Sequence, residues 1–319
     1  MTLISDNAHL AQRLLARVLL ACIGLGAPAA ASALPMYAYS KNEISDVIVQ
    51  TGTEAGGFIS IAPFLGTGFQ QAVHGGDGLD SQGVSADPQQ AKSGPGPFPG
   101  ENDFDPSGER GAYARADTCV FSDKCQDTAS NVAEVFRPSA GEDRASAEVE
   151  MRWDLKLNAG DDVRISFWAW PDMHVKTSGD REHAAALYDV FLSISPLGNF
   201  DKTLFSWSPC GDADDSDCRE RDASVSVFGI TDPFDLHQFI ECVGHCDRRA
   251  PGEGVAPSRF EISVRGLGGI EGQEVILFLE STEAVRVWIP EPGSLALLGA
   301  ALLAGWASRG AKAGRAPLT

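Results

Sequence analysis

From Ala145 to Asn158 the chain alternates apolar and charged side chains without a break. Ala147, Val149, Met151, Trp153, Leu155 and Leu157 interleave with Glu148, Glu150, Arg152, Asp154 and Lys156. Successive side chains of a strand point to opposite faces, so a period of two this long demands a β-strand with one dry and one wet face. Such a strand cannot bury its dry face alone and requires a second layer of structure. After the turn residues Asn158-Ala159-Gly160-Asp161, the residues Val163, Ile165, Phe167 and Ala169 resume the alternation, so the two strands are expected to pair as a hairpin. Shorter strands are expected at 46–50, 57–61, 188–194, 203–207, 223–229, 259–264, 274–280 and 285–288, and short helical turns at 130–135 and 181–186. Between residues 34 and 288 no long segment has helical spacing. The pattern predicts an all-β fold, an antiparallel β-sandwich of jelly-roll-like or immunoglobulin-like form.

Residues 66–111 break the pattern. They are rich in Gly, Pro, Gln, Asp and Ser, as in Gly75-Gly76-Asp77-Gly78 and Gly94-Pro95-Gly96-Pro97-Phe98-Pro99-Gly100. A stretch of that length without periodicity is too long for an ordinary connection and is expected to be a flexible insertion within the domain.

The two ends read as addresses. Arg13 and Arg17 precede the apolar run 18–26, and Ala31-Ser32-Ala33 supplies small residues around a cleavage point. This is the order of a secretory signal peptide, with cleavage expected after Ala33. The apolar run is too short to span a bilayer and Pro28 follows it. At the other end Pro290-Glu291-Pro292-Gly293-Ser294 leads into a Leu/Ala/Gly-rich segment, 295–307, followed by Arg309, Lys312 and Arg315. By itself this predicts a rigid break, a transmembrane helix on the short side and a positive end retained in the cytoplasm.

Those C-terminal residues, in that order, resemble a PEP-CTERM protein-sorting signal over roughly 288–319. The resemblance implies a Gram-negative bacterial protein that leaves through the Sec export machinery and pauses in the inner membrane through its C-terminal helix. An exosortase would then recognise Pro290, Glu291 and Pro292, remove the tag, and pass the protein to the cell surface or the exopolysaccharide matrix. The chain therefore divides into a signal peptide at 1–33, an extracellular β-sandwich domain at 34–288 and the sorting signal at 289–319. The segments Tyr113–Asp117 and Asn131–Glu134, with the strands ending near Trp170-Pro171, also resemble a recurring group of tagged ectodomains without assigned activity. That second likeness brings no functional residues with it.

The chain has 25 basic and 44 acidic side chains, for a net charge of −19. Five of the basic and two of the acidic residues lie in the two ends, so residues 34–290 hold 20 against 42. Nucleic-acid binding needs a basic face, and this balance excludes it as a general property. An acidic exported body stays soluble and repels anionic polymers.

With Cys22 in the signal peptide, six cysteines remain: Cys119, Cys125, Cys210, Cys218, Cys242 and Cys246. An even count in an exported chain predicts disulfides. Six cysteines allow fifteen pairings, and the close spacing favours three neighbour pairs. The rival is a zinc site built from Cys242, His245 and Cys246, with His237. Inside the 210–218 loop, Asp212, Asp214, Asp215 and Asp217 make a candidate calcium site, since calcium takes several hard oxygen ligands. Asp103-Phe104-Asp105-Pro106-Ser107-Gly108 opens like a second calcium loop, but its twelfth position is Ala114 instead of a bidentate acid. A solvated acidic loop is the alternative for both.

No catalytic residue is identified. The chain has no Gly-x-Ser-x-Gly elbow, zinc-protease motif, P-loop or dinucleotide fingerprint. Trp168 and Trp170 are out of phase with Val163, Ile165 and Phe167, so they are candidates to face outward and stack on sugar rings; packing in the second sheet is the alternative. The expected role is a non-enzymatic structural or adhesive protein of the cell surface or biofilm matrix. The alternatives are a secreted polysaccharide-active enzyme and a calcium-dependent carbohydrate-binding module. A convergent acidic pair in a cleft would mark the enzyme, and an exposed aromatic platform without one would mark the binder.

Overall fold

A computed structural model of the chain describes residues 35–63, 65–75, 77–83, 89–98, 112–120, 125, 128–138, 141–251, 256–269 and 272–288. Within them the secondary structure is all strand: β1 Met36–Thr53, β2 Gly57–Ile61, β3 Leu65–His74, β4 Asp77–Gly83, β5 Gln89–Gly96, β6 Ala112–Val120, β7 Thr128–Arg137, β8 Glu142–Leu157 and β9 Asp162–Ala169. The second half adds β10 Asp172–Thr177, β11 His183–Pro196, β12 Phe205–Trp207, β13 Arg219–Arg221, β14 Ser226–Thr231, β15 His237–Val243, β16 Cys246–Ala250, β17 Ser258–Arg265 and β18 Gln273–Trp288.

Two antiparallel sheets result, a β-sandwich. The first runs β14-β17-β9-β1-β7-β6-β5, with β10, β16 and β2 joined at its side, and the second runs β13-β12-β11-β18-β8-β3-β4, with β15 on β11. The alternating run is β8, and its apolar set from Ala147 to Leu157 is buried to 2% exposure or less. Its neighbour β18 is one continuous strand over the two segments expected at 274–280 and 285–288. Phe167 of β9 stacks on Phe260 of β17 with ring centroids 5.3 Å apart, and Trp207 of β12 approaches Phe167 from the facing sheet. Burying one such side chain contributes about 1.5–3 kcal/mol, so these inward faces carry the fold.

Three expectations are corrected. β8 and β9 do not form a hairpin, because β8 lies in the second sheet and β9 in the first. The turn at 158–161 carries the chain from one layer to the other, held by the Asp161 carboxylate accepting from the Asn158 backbone N–H at 2.7 Å. Both strands then send their apolar faces into one core from opposite sides, which satisfies the same alternation that suggested pairing.

The segment 66–111, expected to be a flexible insertion, contributes β3, β4 and β5 in its described part. Its glycines have a packing reason. A Cβ at Gly66 would come within 2.5 Å of the Val120 side chain, and one at Gly68 would collide with Thr118, so glycine lets β3 approach β6 of the facing sheet. Residues 99–111 lie outside the described set, as does the second calcium-loop candidate.

The helical turns expected at 130–135 and 181–186 are also absent. Residues 130–135 lie in β7, hydrogen-bonded between β1 and β6, and 183–186 begin β11. β7 is buried on both faces from Ala129 to Arg137, so it lacks the polar alternation that would have marked it as a strand. Its outward side joins a second apolar cluster of Tyr37, Tyr39, Tyr113, Val132 and Phe136, capped by Phe98. Among the described residues no helix is long and apolar enough to cross a membrane. The segments expected to be the signal and transmembrane helices, with Ala31, Ala33, Pro290, Glu291 and Pro292, lie outside those residues.

Candidate functional site

On the outward side of the first sheet, β9 presents Trp168 at 39% exposure, and Trp170 just beyond it stands at 42%. Strand alternation places them there: Val163, Ile165 and Phe167 face the core, so the even positions face out. In register, Trp168 lies between Ser45 of β1 and Arg259 of β17. Trp170 has left the strand, yet reciprocal backbone hydrogen bonds with Glu43, at 2.9 and 3.3 Å, fix its position. The Lys41 ammonium sits 5.1 Å from the Trp170 ring centroid and pairs with Glu43 at 3.5 Å. Arg259 donates to the Ser166 hydroxyl at 3.3 Å and pairs with Glu261. Burial raises the carboxyl of Asp172, opposed by Arg249 and Lys41. Opposite these tryptophans β1 carries a bulge between Ser45 and Ile48, with Asp46 at φ 49°, a left-handed conformation. Bulges re-aim neighbouring side chains, and this one adjoins the aromatic pair.

Phe167 and Trp207 are in the core, while Trp168 and Trp170 are at the surface.

The six cysteines from Cys119 to Cys246 pair with their neighbours: Cys119–Cys125, Cys210–Cys218 and Cys242–Cys246. The zinc alternative therefore loses its sulfur ligands, and the cluster of Cys210, Asp215 and Cys218 offers no thiolate to a metal. Cys242 is the penultimate residue of β15 on the second sheet and Cys246 begins β16 on the first, so that bridge closes a crossover between layers.

Within the 210–218 loop the carboxylates serve the backbone. Asp212 accepts from the Asp214 N–H at 2.9 Å, and Asp215 accepts from the Asp217 N–H at 2.8 Å. The Arg219 guanidinium donates to the carbonyls of Ala213 and Asp215 at 2.9 and 2.8 Å. A cation thus already stands beside the four acids. A surface cavity of about 380 Å³ lies between this loop and β14, lined among others by Asp214, Arg219, Phe228 and Ile230.

Acids also gather on the outward side of the second sheet, where Glu150 stands opposite Glu280 and Glu148 opposite Thr282. Burial, then repulsion from Glu280, raises the carboxyls of Glu148 and Glu150, and burial raises that of Glu280. These acids lie on the far side of the sandwich from Trp168. Histidines pair with carboxylates, as in His74–Asp143 at 2.7 Å, His174–Asp247 at 2.7 Å and His237–Asp189 at 3.0 Å.

Two polar clusters escaped sequence reasoning. On the outward side of the first sheet Tyr37 donates to Glu134 at 2.6 Å, and Arg115 bonds Glu134 at 2.7 Å and Asp117 at 3.0 Å. Arg115, Asp117 and Glu134 are all buried, at 0–1% exposure. Burial outweighs the pull of Arg115 and pushes the Asp117 carboxyl up to about 7. The second cluster joins Asn42, Asn131, Ser281 and Glu283 between the sheets. A signal for it was present, since Ser281 and Glu283 occupy the phase of Leu277, Leu279 and Val285, where apolar residues belong.

No family model and no curated protein matches the chain. Among solved structures, infectious bursal disease virus of the Gt strain aligns at 12% identity over 81% of this chain and 66% of that one, with a TM-score of 0.09. The VP2 subviral particle of that virus aligns at 6% identity over 81% and 82%, also at 0.09. Superposition at that level defines no shared fold.

Proposed function

We propose that this chain is an exported surface or matrix protein whose β-sandwich holds a polysaccharide strand against Trp168 and Trp170. The supporting observation is the exposure of both rings on one outward face, 39% and 42%, with Lys41 and Arg259 beside them. Large aromatic surface that could have packed inside is here left in water. Trp168 ends the outward phase of β9 and Trp170 follows two residues later, so the two rings are close neighbours along the chain. Lys41 and Arg259 supply hydrogen-bond donors to hydroxyl or carboxylate groups.

Export through the Sec machinery, a transient inner-membrane stage and tag removal by an exosortase belong to the same reading, supported by the sequence of the two ends. With eighteen described strands the sandwich exceeds both the seven to nine or so of an immunoglobulin domain and the eight or so of a jelly roll, so strand number separates neither alternative. The polysaccharide-active enzyme is the weaker reading: Glu150 and Glu280 share one sheet face away from the tryptophans, and Glu43 beside them is engaged by Lys41.

Glycan-array binding of the exported protein, with reducing-end release measured on the same samples, tests this. We expect binding that falls about tenfold or more in Trp168→Ala/Trp170→Ala, the loss typical of a buried aromatic anchor, at an unchanged thermal midpoint. Binding that survives the double substitution, or no glycan binding at all, would sink the proposal. Release of reducing ends would favour the enzyme.

A further inference from the structure

The inward face of β18 reads Val275, Leu277, Leu279, Ser281, Glu283, Val285 and Val287, all at 3% exposure or less. Glu283 is a carboxyl group in the middle of the sandwich. The Ser281 hydroxyl donates to Glu283 Oε1 at 3.0 Å and accepts from Asn42 Nδ2 at 3.0 Å, while Asn131 Nδ2 donates to the Ser281 carbonyl at 2.7 Å. Asn42 on β1 and Asn131 on β7 are register partners. The side chains of Asn42, Asn131 and Glu283, from three strands of both sheets, therefore meet at Ser281, and all four residues are fully buried.

Three oxygens in this cluster, Asn42 Oδ1, Asn131 Oδ1 and Glu283 Oε2, have no hydrogen-bond donor among the described residues. All three are acceptors when the carboxyl is ionised, and buried acceptors without donors cost free energy. One proton on Oε2 turns that oxygen into a donor but serves a single amide. One water donates two bonds and leaves the third oxygen orphaned. The two together satisfy every atom: the acid donates to the water, and the water donates to both amide oxygens, giving the three bonds typical of a buried water.

We propose that Glu283 is carried as the neutral acid and, with Asn42 and Asn131, binds a single water molecule that ties the two sheets together. The surroundings favour the neutral form. In register with Glu283 are Ala147 of β8 and Tyr188 of β11, and Asn42 of β1 and Asn131 of β7 bond its neighbour Ser281; none of them is a cation. Tyr188 is itself engaged, donating to the Asp235 carbonyl at 3.1 Å. The nearby Asp189 carboxylate adds repulsion to the burial that holds the Glu283 carboxyl well above the usual range.

The sign of the pH dependence follows. Below the ordinary carboxylate range Glu283 is neutral whether folded or unfolded. Above it the unfolded chain releases the proton and the folded chain keeps it, so folding weakens as pH rises, up to tenfold in equilibrium constant per pH unit, until the folded value is reached.

The test compares thermal unfolding of the intact chain with Glu283→Gln from pH 4 to 8, with and without calcium or sodium chloride. Gln imitates the neutral acid and does not titrate. We expect equal midpoints near pH 4, a midpoint for Glu283→Gln that exceeds wild type increasingly toward pH 8, and no difference between the two in their response to either salt. A variant less stable than wild type at pH 8, or a wild-type stabilisation by cation that the variant lacks, overturns the proposal in favour of an ionised carboxylate. Should Glu283→Gln not fold, isotope-edited infrared spectroscopy of a Glu148→Gln/Glu150→Gln/Glu280→Gln background decides. A protonated glutamic-acid band persisting at pH 7 supports the neutral form and its absence overturns it. Water cross-peaks at the side-chain amides of Asn42 and Asn131 in magnetic resonance spectra are expected, and their absence would remove the water.

Discussion

Glu150 and Glu280 stand directly opposite one another on β8 and β18, two like charges in the centre of the second sheet. Burial lifts both carboxyls, and Glu280 further lifts that of Glu150. Like charges facing across strands destabilise a sheet by about 0.2–1 kcal/mol, and water screens such half-exposed groups toward the low end. Glu280→Gln is expected to raise the thermal midpoint at pH 8 and to leave it unchanged near pH 4, where both carboxyls are neutral. Unfolding curves at the two pH values check it, and a destabilised variant at pH 8 would contradict it.

The buried triad of Arg115, Asp117 and Glu134 carries a second prediction. Removing the one cation leaves two acids buried without it, a loss of about 3–5 kcal/mol in comparable ion pairs. Arg115→Ala should therefore lower the denaturant midpoint sharply, and more at pH 8 than at pH 5, because Asp117 titrates near 7. A midpoint within error of wild type would mean that the triad contributes nothing.

The disulfides close loops of 6, 8 and 4 residues. Loop-closure entropy for such sizes is about 2 kcal/mol each, less than for longer loops. Replacing Cys210 and Cys218 by Ser, at an exposed loop, should cost no more than this. Replacing Cys242 and Cys246 should cost more, since Cys242 is fully buried where the chain passes between layers. Peptide mapping under non-reducing conditions should recover the three neighbour pairs.

Processing is testable by intact mass. The mature protein from surface or matrix fractions should lack residues 1–33 and end near Pro290-Glu291-Pro292. Because β18 closes at Trp288, where His183 stacks on the indole at 4.7 Å, trimming beyond that point should leave the thermal midpoint unchanged. Recovery of the chain through Thr319 outside the cell would exclude the sorting reading.

Properties that depend on neighbours along the chain were legible in the sequence. The period of two over 145–157 is local, and it identified β8, its buried face and the layered all-β class. Phase alone placed Trp168 outward. The neighbour disulfides followed from spacing and an even cysteine count, because short loops close readily. Partner choice was decided only by tertiary structure. β8 and β9 have the same alternation whether they pair in one sheet or face each other across the core, and the choice rests on contacts with β18 and β1. β7 lost its strand signature because it is covered on both sides, one of them by residues distant in sequence. Gly66 and Gly68 look like linker residues until Val120 and Thr118 arrive from the facing sheet. The burial of Glu283 has the same origin: a carboxyl group on an inward phase is an anomaly in sequence, and only the facing sheet brings Asn42 and Asn131 to its neighbour Ser281 and closes the site to solvent.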